Sequence, residues 1–77
     1  MTGRLPVLKA SEVIRALRKA GFVLARIKGS HHVFDHREDS ARTVIVPVHA
    51  GRDLKAGTLR SIIGQSGLTV DEFKALL

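Results

Sequence analysis

Seventy-seven residues without a single Cys leave room for one small domain, residues 1–77, whose stability, about 3 to 5 kcal/mol, comes from an apolar core without disulfides. The longest apolar runs, Phe22 to Ala25 and Val44 to Val48, fall far short of the roughly 20 residues that span a bilayer, and no signal-type apolar stretch opens the sequence, so a cytoplasmic protein with no membrane contact is expected. Thirteen Lys and Arg against seven Asp and Glu give a net charge of +6. The excess is uneven: Met1 to Arg37 carry eight basic and two acidic residues, whereas Glu38 to Leu77 carry five of each. A polyanion-facing side fits this asymmetry, although a solvated basic surface has the same arithmetic.

In chain order, residues 1–8 contain Pro6 and no periodicity and read as a lead-in. A helix follows, capped by Ser11 or a neighbour, with Val13, Ile14 and Leu17 on its apolar face and Glu12, Arg15, Arg18 and Lys19 on the other. Gly21 closes it as the residue able to turn left-handed. Phe22 to Lys28 is rich in β-branched and aromatic residues and predicts a strand, with Phe22, Leu24 and Arg26 on one face and Val23, Ala25 and Ile27 on the other. Gly29-Ser30 turns the chain into a second strand, His31 to His36, where His31, Val33 and Asp35 oppose His32, Phe34 and His36. Arg37 to Ala41 reads as a loop, and Arg42 to Val48 as a third strand in which Pro47 marks an end or edge.

His49 to Gly57 predicts a linker, followed by a second helix capped by Thr58 and packed through Leu59, Ile62 and Ile63, ending at Gly67. Thr69 suits the cap of a short third helix whose Val70, Phe73, Leu76 and Leu77 either finish the core or meet a partner. Three strands with short links make an antiparallel meander, and both main helices can cover one face. The expected class is α+β, in the order α-β-β-β-α with a short extra C-terminal helix spanning residues 69–77.

Four His beside no Tyr, Trp or Cys raise the question of a metal. Their spacing argues against one. His31 and His32 point to opposite faces of a strand, and His32 with His36 supplies only two ligands on one face. Acid-base chemistry fits better, because an imidazole titrates at about pH 6.5. A His directly after Gly29-Ser30 has a flexible turn, a hydroxyl and the cations Arg26 and Lys28 beside it. Cleaving RNA needs a base for the ribose 2′-OH, donors for the phosphorane charge and an acid for the leaving oxygen. An ordinary strand His is the plain alternative. The segment Lys55 to Arg60 combines a helix start, the Thr58 hydroxyl and two cations, Lys55 and Arg60, which suits a phosphate as well as simple capping.

Taken together, Gly21-Phe22 after a basic helix, Lys28-Gly29-Ser30-His31-His32-Val33-Phe34, Val46-Pro47-Val48-His49 and Gly51 to Ile62 resemble the HicA family, the mRNA interferase toxins of HicA-HicB toxin-antitoxin systems. The resemblance covers roughly Leu8 to Leu68. It implies a fold like that of double-stranded RNA-binding domains and RNA cleavage that depends on one His of the Gly-Ser-His motif, with no cofactor. That His maps onto His31, with His32 in reserve should the strand register slip by one. Gly29 and Ser30 would shape the site, and Arg26, Lys28, Lys55, Thr58 and Arg60 would hold RNA phosphates. The acid for the leaving group stays open among His32, His49, Lys28 and water. The implied partners are single-stranded mRNA and a HicB-like antitoxin covering the basic face, the toxin being a monomer when free of it. A non-catalytic RNA-binding module of the same fold is the alternative.

Overall fold

The computed structural model describes residues 4–77, and residues 1–3, the start of the expected lead-in, lie outside the described residues. The elements are α1 (Ala10–Lys19), β1 (Phe22–Lys28), β2 (His31–His36), β3 (Asp39–Pro47), α2 (Ala56–Ser66) and α3 (Val70–Lys74). The three strands form one antiparallel sheet in the order β1-β2-β3. This is the expected α+β order with its extra helix. Among the described residues, no helix is long and apolar enough to cross a membrane.

One sheet face is covered and the other is open. Phe22, Phe34, Val44 and Val46 enter a core with Val13, Ala16 and Leu17 of α1, Leu59, Ile62 and Ile63 of α2, and Phe73 of α3. Phe73 is fully buried while Val70 and Leu76 pack partly against the core, so α3 completes it; Leu77 stays exposed. The Thr69 cap forms as expected, its Oγ1 accepting the Glu72 N–H at 3.0 Å while the Glu72 carboxylate accepts the Thr69 N–H at 2.8 Å. Ser66, buried at the end of α2, donates to the Ile63 carbonyl and accepts the Leu68 N–H. Arg42 donates twice to the Ser66 carbonyl, at 3.2 and 2.6 Å, and so ties α2 to β3.

Several boundaries differ from expectation for identifiable reasons. Lys9 rather than Ser11 is the N-cap of α1, with the Glu12 carboxylate accepting the Lys9 N–H at 2.9 Å. β3 starts at Asp39, not Arg42, because His36 pairs with Asp39 across a two-residue turn and the register then shifts; it ends at Pro47, one residue short of Val48. Lys55, not Thr58, caps α2, and Gly57 is simply helical. An isolated bridge from Lys9 to Asp53 and the Leu54 N–H to Leu8 carbonyl bond at 2.8 Å hold this segment against the start of α1, and the helix is capped three residues early.

The register of β1 shifts between Leu24 and Arg26, which moves the next side chains by one position. Arg26 therefore pairs with Val33 and Ile27 with His32. The expected grouping of Arg26 with Phe22 and Leu24 is wrong: Arg26 and Lys28 lie on the open face, and Ile27 on the face of Phe22 and Leu24.

At the far end of the sheet, Gly21 has φ of +99°, and an added Cβ would lie 2.9 Å from the His36 Nε2. That nitrogen donates to the Ala20 carbonyl at 3.0 Å, while Nδ1 accepts the Glu38 N–H at 3.2 Å, which fixes the tautomer. Gly21→Ala combines left-handed backbone strain of about 1 to 2 kcal/mol with loss of a hydrogen bond of about 1 kcal/mol. A fall in Tm of roughly 10 to 20 °C is the expected thermal-melting result.

Candidate active site

The β1-β2 turn is built by two residues. Gly29 has φ of +58° while, among the described residues, no non-Gly residue has positive φ, the pattern of a type II′ hairpin with Gly at its first central position. Nothing lies within 4 Å of a Cβ placed on Gly29, so the glycine serves the backbone and not a close contact. The turn sets Lys28 directly opposite His31, and His31 is in turn opposite Pro47 on β3. The Ser30 carbonyl accepts the Val48 N–H at 2.7 Å, which fastens the turn to the end of β3.

Directly paired residues share a face of the sheet. Lys28, His31 and Pro47 form one row on the open face, Arg26, Val33 and Ile45 the next, and Val23, Asp35 and Thr43 a third. His31 is exposed there with two cations on neighbouring positions of β1. The acid of that face, Asp35, is four residues along β2, about 13 Å away, and accepts the Thr43 hydroxyl at 2.8 Å. His32 takes the other face, half-buried between Ile27 and Val46. The strand thus separates two adjacent imidazoles completely.

His36 is placed elsewhere again. Its ring meets Phe22 edge-on, centroids 5.0 Å apart at 87°, with both nitrogens engaged at the end of the sheet remote from His31. Its function is structural.

His49 borders a shallow cleft of about 340 Å³ at the His31 end, lined also by Pro47, Arg52, Asp53, Leu54, Lys55 and Thr58. The expected Lys55 and Thr58 are brought together here; Arg60, exposed further along α2, does not line it. Arg52 was not anticipated, and its signal was a cation spaced three residues from both His49 and Lys55 in a segment that reads as plain linker. Asp53 is occupied by Lys9, whose Nζ lies 3.1 Å from its carboxylate. The N-termini of α1 and α2 both lie at this end, joined through Lys9 and Asp53, and add their partial positive charge to Lys28, Arg52 and Lys55. An anion is the ligand this end favours. Among the described residues, no three His, Asp or Glu side chains converge as a metal site would require.

No curated protein matches the chain. A family model described as the HicA toxin of bacterial toxin-antitoxin matches residues 10–68, which takes in α1, the whole sheet, the cleft and α2. The chain therefore belongs to the HicA toxin family and is the toxin of a toxin-antitoxin pair, with an antitoxin as its partner.

Proposed function

We propose that this toxin is a metal-independent endoribonuclease, an mRNA interferase acting on single-stranded RNA in the cytoplasm, with His31 as the base that removes the ribose 2′-OH proton. The observation that carries this reading is the position of His31: exposed at the start of β2, on the face the helices leave free, directly opposite Lys28 and beside the Arg26 row. Gly29 and Ser30 set its position through the hairpin. Arg26, Lys28 and, across the end of the sheet, Lys55 and Thr58 offer contacts to successive phosphates, with Arg60 extending the basic track along α2. A HicB-like antitoxin would silence the toxin by covering the same basic end, and charge attraction would speed its arrival. Free of antitoxin, the toxin acts as a monomer.

Purified protein incubated with labelled single-stranded and duplex RNA is expected to give discrete cleavage products from the single strand, unchanged by EDTA. Duplex retarded but uncut would favour a non-catalytic binding module instead. Replacing Lys28 and Lys55 by Gln is expected to weaken RNA binding across sequences and to flatten the salt dependence, by about 0.7 in slope of log K for each lysine, in filter binding at graded salt.

A further inference from the structure

RNA cleavage started by His31 leaves the 5′-oxygen without a proton donor, and the two remaining strand histidines are badly placed to supply one. His32 points to the helix-covered face, and His36 has both ring nitrogens bonded at the opposite end of the sheet. Lys28 shares the His31 row, the side from which the base would drive the 2′-oxygen onto phosphorus, whereas the 5′-oxygen leaves on the opposite side. His49 alone has neither restriction. It follows Pro47 by two residues, and Pro47 is the direct cross-strand partner of His31, so the two Cα atoms are no more than about 12 Å apart. Imidazoles reaching inward over that span can flank one phosphodiester.

The cleft beside His49 has the chemistry of a nucleotide subsite. Its volume of about 340 Å³ falls within the range of small-molecule pockets, roughly 300 to 1,000 Å³. Pro47 and Leu54 offer apolar surface for a base, and Arg52 and Lys55 offer charge for a phosphate, since Lys9 neutralises the single acid, Asp53. We propose that this cleft receives the nucleotide on the 3′ side of the scissile bond of a single-stranded RNA, and that His49 protonates its leaving 5′-oxygen. The proposal rests on the endoribonuclease reading with His31 as base. In the step, His31 takes the 2′-OH proton, the 2′-oxygen bonds to phosphorus, the bond from phosphorus to the 5′-oxygen breaks, and that oxygen takes the proton of His49. The products are a 2′,3′-cyclic phosphate and a 5′-hydroxyl, with no redox partner needed.

The test compares the unaltered protein, His49→Ala and His31→Ala on an RNA oligonucleotide and on uridine 3′-(4-nitrophenyl phosphate), whose nitrophenolate leaves without being protonated. His49→Ala is expected to slow RNA cleavage by about 100-fold or more but to lose far less on the activated ester, whereas His31→Ala loses on both. His49 is exposed, so its replacement leaves the fold intact. Unchanged RNA cleavage by His49→Ala, or an equal loss on both substrates, overturns the acid assignment while leaving His31 untouched. Wild-type protein that cuts neither substrate, or an active His31→Ala, overturns the endoribonuclease reading and this proposal with it.

Discussion

His31→Ala is expected to abolish RNA cleavage, by about 10² to 10⁴-fold, the usual contribution of a positioned acid or base, and to remove growth inhibition on expression. The fold should be unaffected. His31 is exposed, and its neighbours Lys28 and Pro47 keep their strand positions through the backbone, so the stability change should stay within about 0.5 kcal/mol. Antitoxin binding, spread over a larger surface, should persist, which separates loss of chemistry from loss of structure. His32→Ala is the contrasting case. Its side chain lies half-buried between Ile27 and Val46, so it should lower Tm while each folded molecule still cuts. Cleavage assays and thermal melts on both variants read the difference, and a fully active His31→Ala protein would refute the base assignment.

Phe22→Ala is expected to unfold the free toxin. Phe22 is 1% exposed, and it braces two other residues: His36 against the ring edge and Arg42, whose guanidinium carbon lies 5.4 Å from the ring centroid. Truncating a buried Phe costs about 3 to 5 kcal/mol. A domain of this size has about that much stability in total, so far-UV circular dichroism should show a largely unfolded chain at 25 °C. Val23→Ala, on the next residue but 41% exposed on the open face, should cost under about 1 kcal/mol by the area it buries. Because an antitoxin that binds only the folded toxin adds about 2.7 kcal/mol at a hundred times its Kd, saturating antitoxin should restore part of the Phe22→Ala structure. A cooperatively folded Phe22→Ala toxin would show that the core does not depend on this ring.

The places where sequence patterning misled are those where pairing, not composition, decides. Val23, Leu24, Ala25 and Ile27 are apolar on both faces of β1, so alternation carried no signal about which face each takes. The one-residue bulge at Ala25 appears only in the pairing with β2, and it moved Arg26 and Lys28 to the side of His31. The early start of α2 has a similar origin. Gly57 argues locally for a loop against the helix-favouring Lys55 and Ala56, and the contacts of Asp53 and Leu54 with the start of α1 hold the segment where the helix begins. Thr58 thereby lost its expected capping role and became a lining residue of the cleft.

The element order, the left-handed Gly21, the turn at Gly29-Ser30, the helix end at Gly67, the core positions of α1 and α2, and the Thr69 cap were determined by the sequence alone, because each rests on a periodicity or a backbone preference readable within a few residues. So was the alternation that sends His31 and His32 to opposite faces. Which face the helices cover, and hence which imidazole is left in solvent, was decided by the tertiary structure, as was the meeting of His49, Arg52 and Lys55 beside Pro47. Those outcomes depend on contacts between residues distant in the chain. The +6 charge, half-resolved as an asymmetry along the sequence, became a location only when the sheet brought Lys28 opposite His31 and the two helix starts to the same end.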